Sequence, residues 1–221
     1  VVAIETVVVT PFQQNARVIA AREQCVILDP GGDVGRILKV VGNRKVTGIL
    51  LTHYHIDHCA GVFNLRERLG AVTIYGGEER ELRERIADQA AFFGLSPAEY
   101  HNCPPADIQL TPGSRMTLLG FEWEARFTPG HSPGHFSYVL PEAEYLLDGQ
   151  ILKAPLCLAG DALFRGSIGR TDLPGGDHRQ LLSSISSQLL TLPDETVVLP
   201  GHGEETTIGE ERVSNPFLQE L

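Results

Sequence analysis

No stretch of the sequence approaches the ~20 consecutive apolar residues of a membrane-crossing helix, so no membrane association is expected. Paired cysteines are also missing. Cys25, Cys59, Cys103 and Cys157 stand far apart, with no Cys-x-x-Cys. In a chain too long to need covalent staples, they fit reduced thiols better than a disulfide framework. Basic charge is scarce: 18 Lys and Arg face 28 Asp and Glu, a formal net charge of −10. Phosphate backbones need a basic face, so nucleic acid is not expected as a partner, although a local cationic pocket for a small acidic substrate is still allowed. The opening Val1-Val2-Ala3-Ile4-Glu5 has neither the basic segment nor the apolar core of a secretory signal and reads as a first strand. Together these absences give the expectation of a cytoplasmic protein acting on a small molecule.

What is present is a chain of 221 residues, 42% apolar, enough for a real core and consistent with one domain over residues 1–221. Residues 1–9 and 16–20 read as strands, as does Cys25-Val26-Ile27-Leu28, stopped by Asp29-Pro30-Gly31-Gly32. A short helix is expected over 33–42, a buried strand at Ile49–Thr52, a helix over about 60–69 and a strand at Val72–Tyr75. Leu82, Ile86 and Ala90 recur at helical spacing and predict one surface helix over 78–93. Residues 94–113 hold four prolines and little periodicity, and read as the connection between two halves. In the second half strands are expected near 116–127, 136–140, 145–147, 156–159 and 196–199. Helices are expected over 179–190 and about 209–213. Residues 143–157 are longer than a minimal hairpin needs. Strands followed by helices in each half imply two packed sheets with helices outside.

Four segments share one pattern, an apolar run ending in small or turn-forming residues and then a ligand-type side chain. They end at His53, His131, Asp161 and His202. Strand ends are rigid supports, and four converging on one rim would bring distant residues together. The richest is His53-Tyr54-His55-Ile56-Asp57-His58. Imidazole suits zinc, copper and iron, while carboxylate adds hard oxygen and negative charge. A solvated polar loop is the plain alternative, but three imidazoles beside a buried strand are expensive to leave unpaired. His131 alone would be weak; its setting, Thr128-Pro129-Gly130-His131-Ser132-Pro133-Gly134-His135, fixes an unusual backbone. His135 is expected to hold that loop by a hydrogen bond. Asp161 follows a buried run and must be paired, capping or metal-bound. Seven ligands divide into His53, His55 and His131 on one ion and Asp57, His58 and His202 on another, with Asp161 shared. Cys59 reads as a small packed residue, Cys25, Cys157 and Trp123 as core, and His101 and His178 as surface or capping residues.

On these residues the sequence resembles the metallo-β-lactamase superfamily, in which an H-x-H-x-D-H run, a later His, an Asp and a last His build a binuclear site. The resemblance covers residues 53–202 and implies an α/β fold, an αββα four-layer sandwich of two mixed β-sheets with helices on the outer faces. Within it the chain bears a closer resemblance to the glyoxalase II group, especially its short, single-domain members. The supporting stretches are Thr52–His58, Gly160–Asp172, Gly201-His202-Gly203 and Glu211–Phe217. That likeness implies a thioester hydrolase acting on a substrate such as a hydroxyacyl-glutathione. It implies two divalent ions, zinc first, with iron or manganese as alternatives. By that likeness the ions would activate a water for attack on the carbonyl, Asp57 would orient it, and Arg170 would attract the acidic part of the substrate. Full-length glyoxalase II has a C-terminal helical domain that is not expected within the span of this sequence, and tyrosines where this chain carries Asp172 and Glu204. A persulfide dioxygenase, with one iron on His53, His131 and Asp161, is the nearest rival. A non-catalytic metal-binding protein is the rival from another class, and a lactonase remains open. A secreted lactamase is disfavoured by the missing signal, and a flavodiiron reductase by His55.

Overall fold

In the computed structural model, residues 1–76 and 79–219 are described, with Glu142 by its backbone alone. The first half runs β1 (Val2–Val9), β2 (Gln14–Ala21), β3 (Gln24–Leu28), α1 (Val34–Val41), β4 (Lys45–Leu51), α2 (Ile56–Cys59), α3 (Val62–Leu69), β5 (Val72–Tyr75), α4 (Arg80–Arg83), α5 (Ile86–Phe92) and β6 (Ile108–Gln109). The second runs β7 (Arg115–Leu118), β8 (Phe121–Phe127), β9 (Phe136–Leu147), β10 (Gln150–Gly160), β11 (Leu163–Phe164), β12 (Ser167–Ile168), α6 (His178–Ser184), β13 (Val197–Pro200), β14 (Thr206–Thr207) and α7 (Ile208–Ser214).

Side-chain alternation sorts these strands into layers, because successive residues of a strand face opposite sides. In β3, Cys25 and Ile27 join one apolar cluster and Val26 and Leu28 another; in β4, Ile49 and Leu51 part from Leu50 in the same way. The first cluster is roofed by Ile37 and Val41 of α1, Ile56 of α2, Val62 and Leu65 of α3, and Ile86 and Ala90 of α5. The second lies between the halves, where Ile4, Ile19 and Leu50 meet Trp123, Tyr138, Leu158 and Leu199. A third joins the outward residues Val139, Cys157 and Val198 to Leu181 and Ile185 and to Ile208 of α7. Three cores define four layers, the αββα arrangement.

The two expected sheets are one hydrogen-bonded sheet. Among the described residues its order is β14-β13-β10-β9-β1-β2-β3-β4-β5-β6, with β8 also on β9 and β7 on β8. The joint is β9. Its start pairs antiparallel with β8, Phe127 opposite Phe136, while its end pairs parallel with β1, Val2 opposite Tyr145. This accounts for the length of 143–157. The outer part of the β9–β10 hairpin is the strip that joins the halves, and Asp148 at its tip accepts hydrogen bonds from the backbone and hydroxyl of Thr6, both 3.1 Å.

Several boundaries differ from expectation. The helix expected over 60–69 is preceded by a separate turn, α2, inside the His-rich run. The helix expected over 78–93 is two, broken at Glu84-Arg85, and Gly77 and Glu78 lie outside the described residues. The strand expected near 116–127 is the hairpin β7–β8. Those expected near 136–140 and 145–147 are one strand, β9, and the one near 156–159 is the end of β10. The 94–113 connection includes β6, which extends the first half's edge on β5. The helix expected over 179–190 passes into a π-helical turn at Ile185–Leu189. Among the described residues no helix is long and apolar enough to cross a membrane.

Candidate metal centre

The C-terminal ends of β3, β4, β8, β10 and β13 deliver the polar side chains to one rim. β4 stops at Leu51, and Thr52 carries the chain into His53. Asp29, closing β3, anchors this turn. It is buried, with a positive φ of 48°, and its Oδ1 accepts from the Thr52 backbone N–H at 2.7 Å. Its Oδ2 accepts from the Thr52 hydroxyl at 2.7 Å and from His58 Nδ1 at 2.9 Å. With its proton given to Asp29, the Thr52 hydroxyl accepts from His53 Nδ1, 3.0 Å away. His53 therefore turns an unprotonated Nε2 inward. His131 does likewise, its Nδ1 donating to the Arg170 carbonyl at 2.8 Å.

These two inward nitrogens lie 3.2 Å apart. His55 Nδ1 lies 3.0 Å from that of His53 and 2.8 Å from that of His131. Two lone pairs so close repel unless a cation sits between them. Beside them, Asp57, His58 and His202 form a second group whose ligand atoms lie within 4.8 Å of one another. Asp161 touches both groups: Oδ1 is 3.3 Å from His58 Nε2, and Oδ2 is 3.5 Å from both His131 Nε2 and His202 Nε2. His202 Nε2 also lies 3.1 Å from Asp57 Oδ2. His58 Nε2 and Asp161 Oδ1 are buried without an aligned hydrogen bond, a costly state for polar groups unless a ligand completes them. The donor set and these orphaned atoms fit two bound cations.

The electrostatics agree. Burial, and then the neighbouring imidazoles, hold His53 well below its ordinary pKa; burial and His131 push His55 down to about 3, and burial lowers His131. These three rings stay neutral at physiological pH, as ligands must. Burial opposes charge at His58 and His202 too, but Asp161 and Asp57 outweigh it and raise both. Burial alone would raise Asp161; His58, His131 and His202 drive it down instead. Without metal these groups stabilise one another as ion pairs.

All seven side chains expected as ligands thus converge. His135 holds the loop as expected, paired with the Thr128 hydroxyl at 2.8 Å and accepting from the Asp161 N–H at 3.0 Å. Cys59 is fully buried, its thiol against the Tyr54 carbonyl at 3.5 Å. Arg170 lies at the rim of a cavity of about 350 Å³ that also exposes Asp57, Asp161, His202 and Phe164. Its guanidinium is forked onto Asp172 at 2.7 and 2.8 Å.

Sequence reasoning missed the supports. Asp29 read only as a strand stop, although it follows a buried strand as Asp161 does. Glu79 fell in an expected surface helix, yet it is buried and ties two ligand loops together. It accepts from Gly134 N at 2.7 Å and Tyr54 N at 3.3 Å, and burial raises its pKa. Asn15, just before the expected strand 16–20, and Arg17 within it gave no signal. Their side chains bond the carbonyls of Gly203 (2.9 Å) and Pro200 (2.9 Å), and hold the His202 turn. Gly201 in that turn admits no side chain, since a Cβ would stand 2.1 Å from Asp161 Oδ1.

The comparisons name the class this geometry defines. The metallo-beta-lactamase superfamily profile matches residues 9–202, and the chain belongs to that superfamily of metallo-hydrolases. Among its relatives, the chain is 39% identical to the hydroxyacylglutathione hydrolase GloC of Haemophilus influenzae, over 97% of each chain. It is 38% identical to the probable metallo-hydrolase YqgX of Bacillus subtilis, over 95% of this chain and 94% of that one. Its fold is similar to that of the BLEG-1 B3 metallo-beta-lactamase, with a TM-score of 0.84 at 35% identity, covering 98% and 99% of the two chains. A di-iron-bound form of TTHA1623 gives 0.81 at 36% identity, covering 96% and 99%. ETHE1 from Myxococcus xanthus gives 0.74 at 27%, covering 96% and 83%.

Proposed function

We propose that this chain is a binuclear metallohydrolase that cleaves thioesters. The carrying observation is the Asp161 carboxylate, which reaches His131 of one nitrogen-rich group through Oδ2 and His58 and His202 of the other through Oδ1 and Oδ2, at the floor of an open cavity. His53, His55 and His131 would hold one divalent ion, and Asp57, His58 and His202 the other, with Asp161 common to both. Zinc is the first choice of ion, with iron or manganese as alternatives. When bound, such ions lower the pKa of water and polarise a carbonyl oxygen.

The remaining steps belong to the chain's own residues. Asp57 lines the cavity and is held by His202 at 3.1 Å; its carboxylate accepts a hydrogen bond from the attacking water and orients it. Asp29 and the Arg170 carbonyl fix His58 and His131 so that their lone pairs face inward. Arg170 takes the anionic part of a substrate by exchanging it for Asp172. A thiolate is a stable leaving group, so no strong general acid is needed. The hydroxyacylglutathione hydrolase among the relatives supports this class of substrate.

Metal analysis followed by paired assays tests the proposal. The expected result is two ions per chain and thioester cleavage at the same rate with and without oxygen. A single iron per chain, with strict oxygen dependence on a sulfur substrate, would overturn it in favour of a dioxygenase.

A further inference from the structure

Beside the metal centre, and sharing His55, Phe93 and Leu173 with its cavity, lies a second and larger cleft of about 570 Å³. Its lining is mostly apolar: Leu82, Phe92 and Phe93 on one side, Pro133, Leu173 and Pro174 on the other. Phe92 is 72% exposed at the end of α5, and Phe93 packs edge-on against Phe12 at 5.1 Å. Water-exposed aromatic surface against a concave apolar wall is unfavourable when unfilled.

Most polar side chains that reach this cleft are engaged elsewhere, and Glu81 adds a carboxylate to its lining. Arg80 is paired with Glu84 at 3.1 Å and Arg85 with Asp88 at 2.7 Å. Gln89 donates to the Tyr54 and Leu82 carbonyls and accepts from Ile56 N. Glu79 is spent on the two ligand loops. A carboxylate entering here would meet Glu81 and two solvent-exposed guanidiniums already paired with Glu84 and Asp88, and exposed pairs of this kind gain little. An apolar group would only remove surface from water.

Resting on the thioester reading, we infer that this cleft binds one arm of the substrate, and that this arm is neutral and apolar, a ring or a chain of several carbons. The chain's preferred substrates are thioesters with an apolar arm next to the reacting carbonyl. Two sources supply this chemistry, the acyl group or the thiol.

Two substrate series on the metal-loaded enzyme distinguish them. One lengthens the acyl group from acetyl to hexanoyl on N-acetylcysteamine; the other keeps acetyl and lengthens an alkanethiol from ethyl to hexyl. Each buried methylene is worth about fourfold, so kcat/KM should rise on the order of 100-fold across one series. The series that rises names the arm. In Phe92→Asp, a change at an exposed position, the long-to-short ratio should fall about tenfold as charge enters the apolar wall. A flat response in both series, or a rise that Phe92→Asp leaves intact, overturns the inference.

Calorimetry with non-hydrolysable S-hexyl and S-methyl thioethers of N-acetylcysteamine reads the cleft without turnover. The hexyl compound should bind tighter, and lose about tenfold in Phe92→Asp. Equal binding of the two overturns the cleft. If no thioester is cleaved but this binding pattern holds, the thioester reading fails and the apolar subsite stands.

Discussion

At the residue scale, two aspartates set the arrangement. Asp29 meets no proposed ligand atom directed at the centre, yet it orients His58 and, through Thr52, His53. Losing such an outer partner costs 10–100-fold in metal affinity in other centres. Asp29→Ala should therefore weaken metal binding by about that factor in a competition titration, and Asp29→Asn, which still accepts from Thr52, by less. Asp161→Ala should empty one of the two ion positions. If Asp161 were only a cap, the variant would keep both ions and lose about 1 kcal/mol of stability. Arg170 gives a third test. With Asp172 forked onto it, a substrate carboxylate must compete. Asp172→Asn should lower KM for an anionic thioester, while Arg170→Ala should raise it and leave a neutral thioester nearly unaffected. Such contacts change KM more than kcat because they are alike in the ground and transition states. Equal effects on both substrates would make the Arg170–Asp172 pair purely structural.

At the scale of elements, the His-rich turn is held by close backbone approach. Gly31, after β3, lies under α2 so tightly that a Cβ would fall 1.4 Å from the Asp57 carbonyl oxygen. Gly31→Ala must displace that turn. It should cost 1–3 kcal/mol in a denaturant titration, as overpacking of a tight site typically does, and should reduce the metal content of the Asp57, His58 and His202 group. Gly35, in α1, makes the contrast: a Cβ there meets nothing within 4 Å. Gly35→Ala should stabilise by roughly 0.5–1 kcal/mol through helix propensity and unfolded-state entropy, with metal content unchanged. A destabilised Gly35→Ala would contradict this account of α1. The ligand turn itself was plain in the sequence, because His and Asp at that density have few inexpensive structural roles. Its supports were not. Glu79 and Asn15 look like ordinary polar residues until the chain folds the Gly134 and Gly203 loops against them.

Across the whole molecule, three apolar cores hold the sheet and its helices, while the metal centre sits at one edge of the sandwich. Chelation should therefore leave the secondary structure in place and lower thermal stability. An ion at a hundredfold its Kd adds about 2.7 kcal/mol, which is roughly 5–11 °C at 2–4 °C per kcal/mol for a chain of this size. Circular dichroism before and after chelation, with a thermal melt of each form, checks this. Loss of the far-UV signal at room temperature would mean that the ions, rather than the cores, hold the fold.

By itself the sequence determined the chemistry and the strand character. Four apolar runs that each end at a ligand-type residue, the dense His53–His58 run, and the apolar, β-branched character of the strands are local properties that can be read residue by residue. Tertiary structure decided the rest. It made one sheet of two, because β9 is long enough to pair with β8 at its start and with β1 at its end. It broke the 78–93 helix at Glu84-Arg85 and buried Glu79 where a surface residue was expected. It opened an apolar cleft between α5 and the Leu173 loop. Each of these depends on contacts between residues far apart in the chain, and local periodicity carries no information about which distant surfaces will meet.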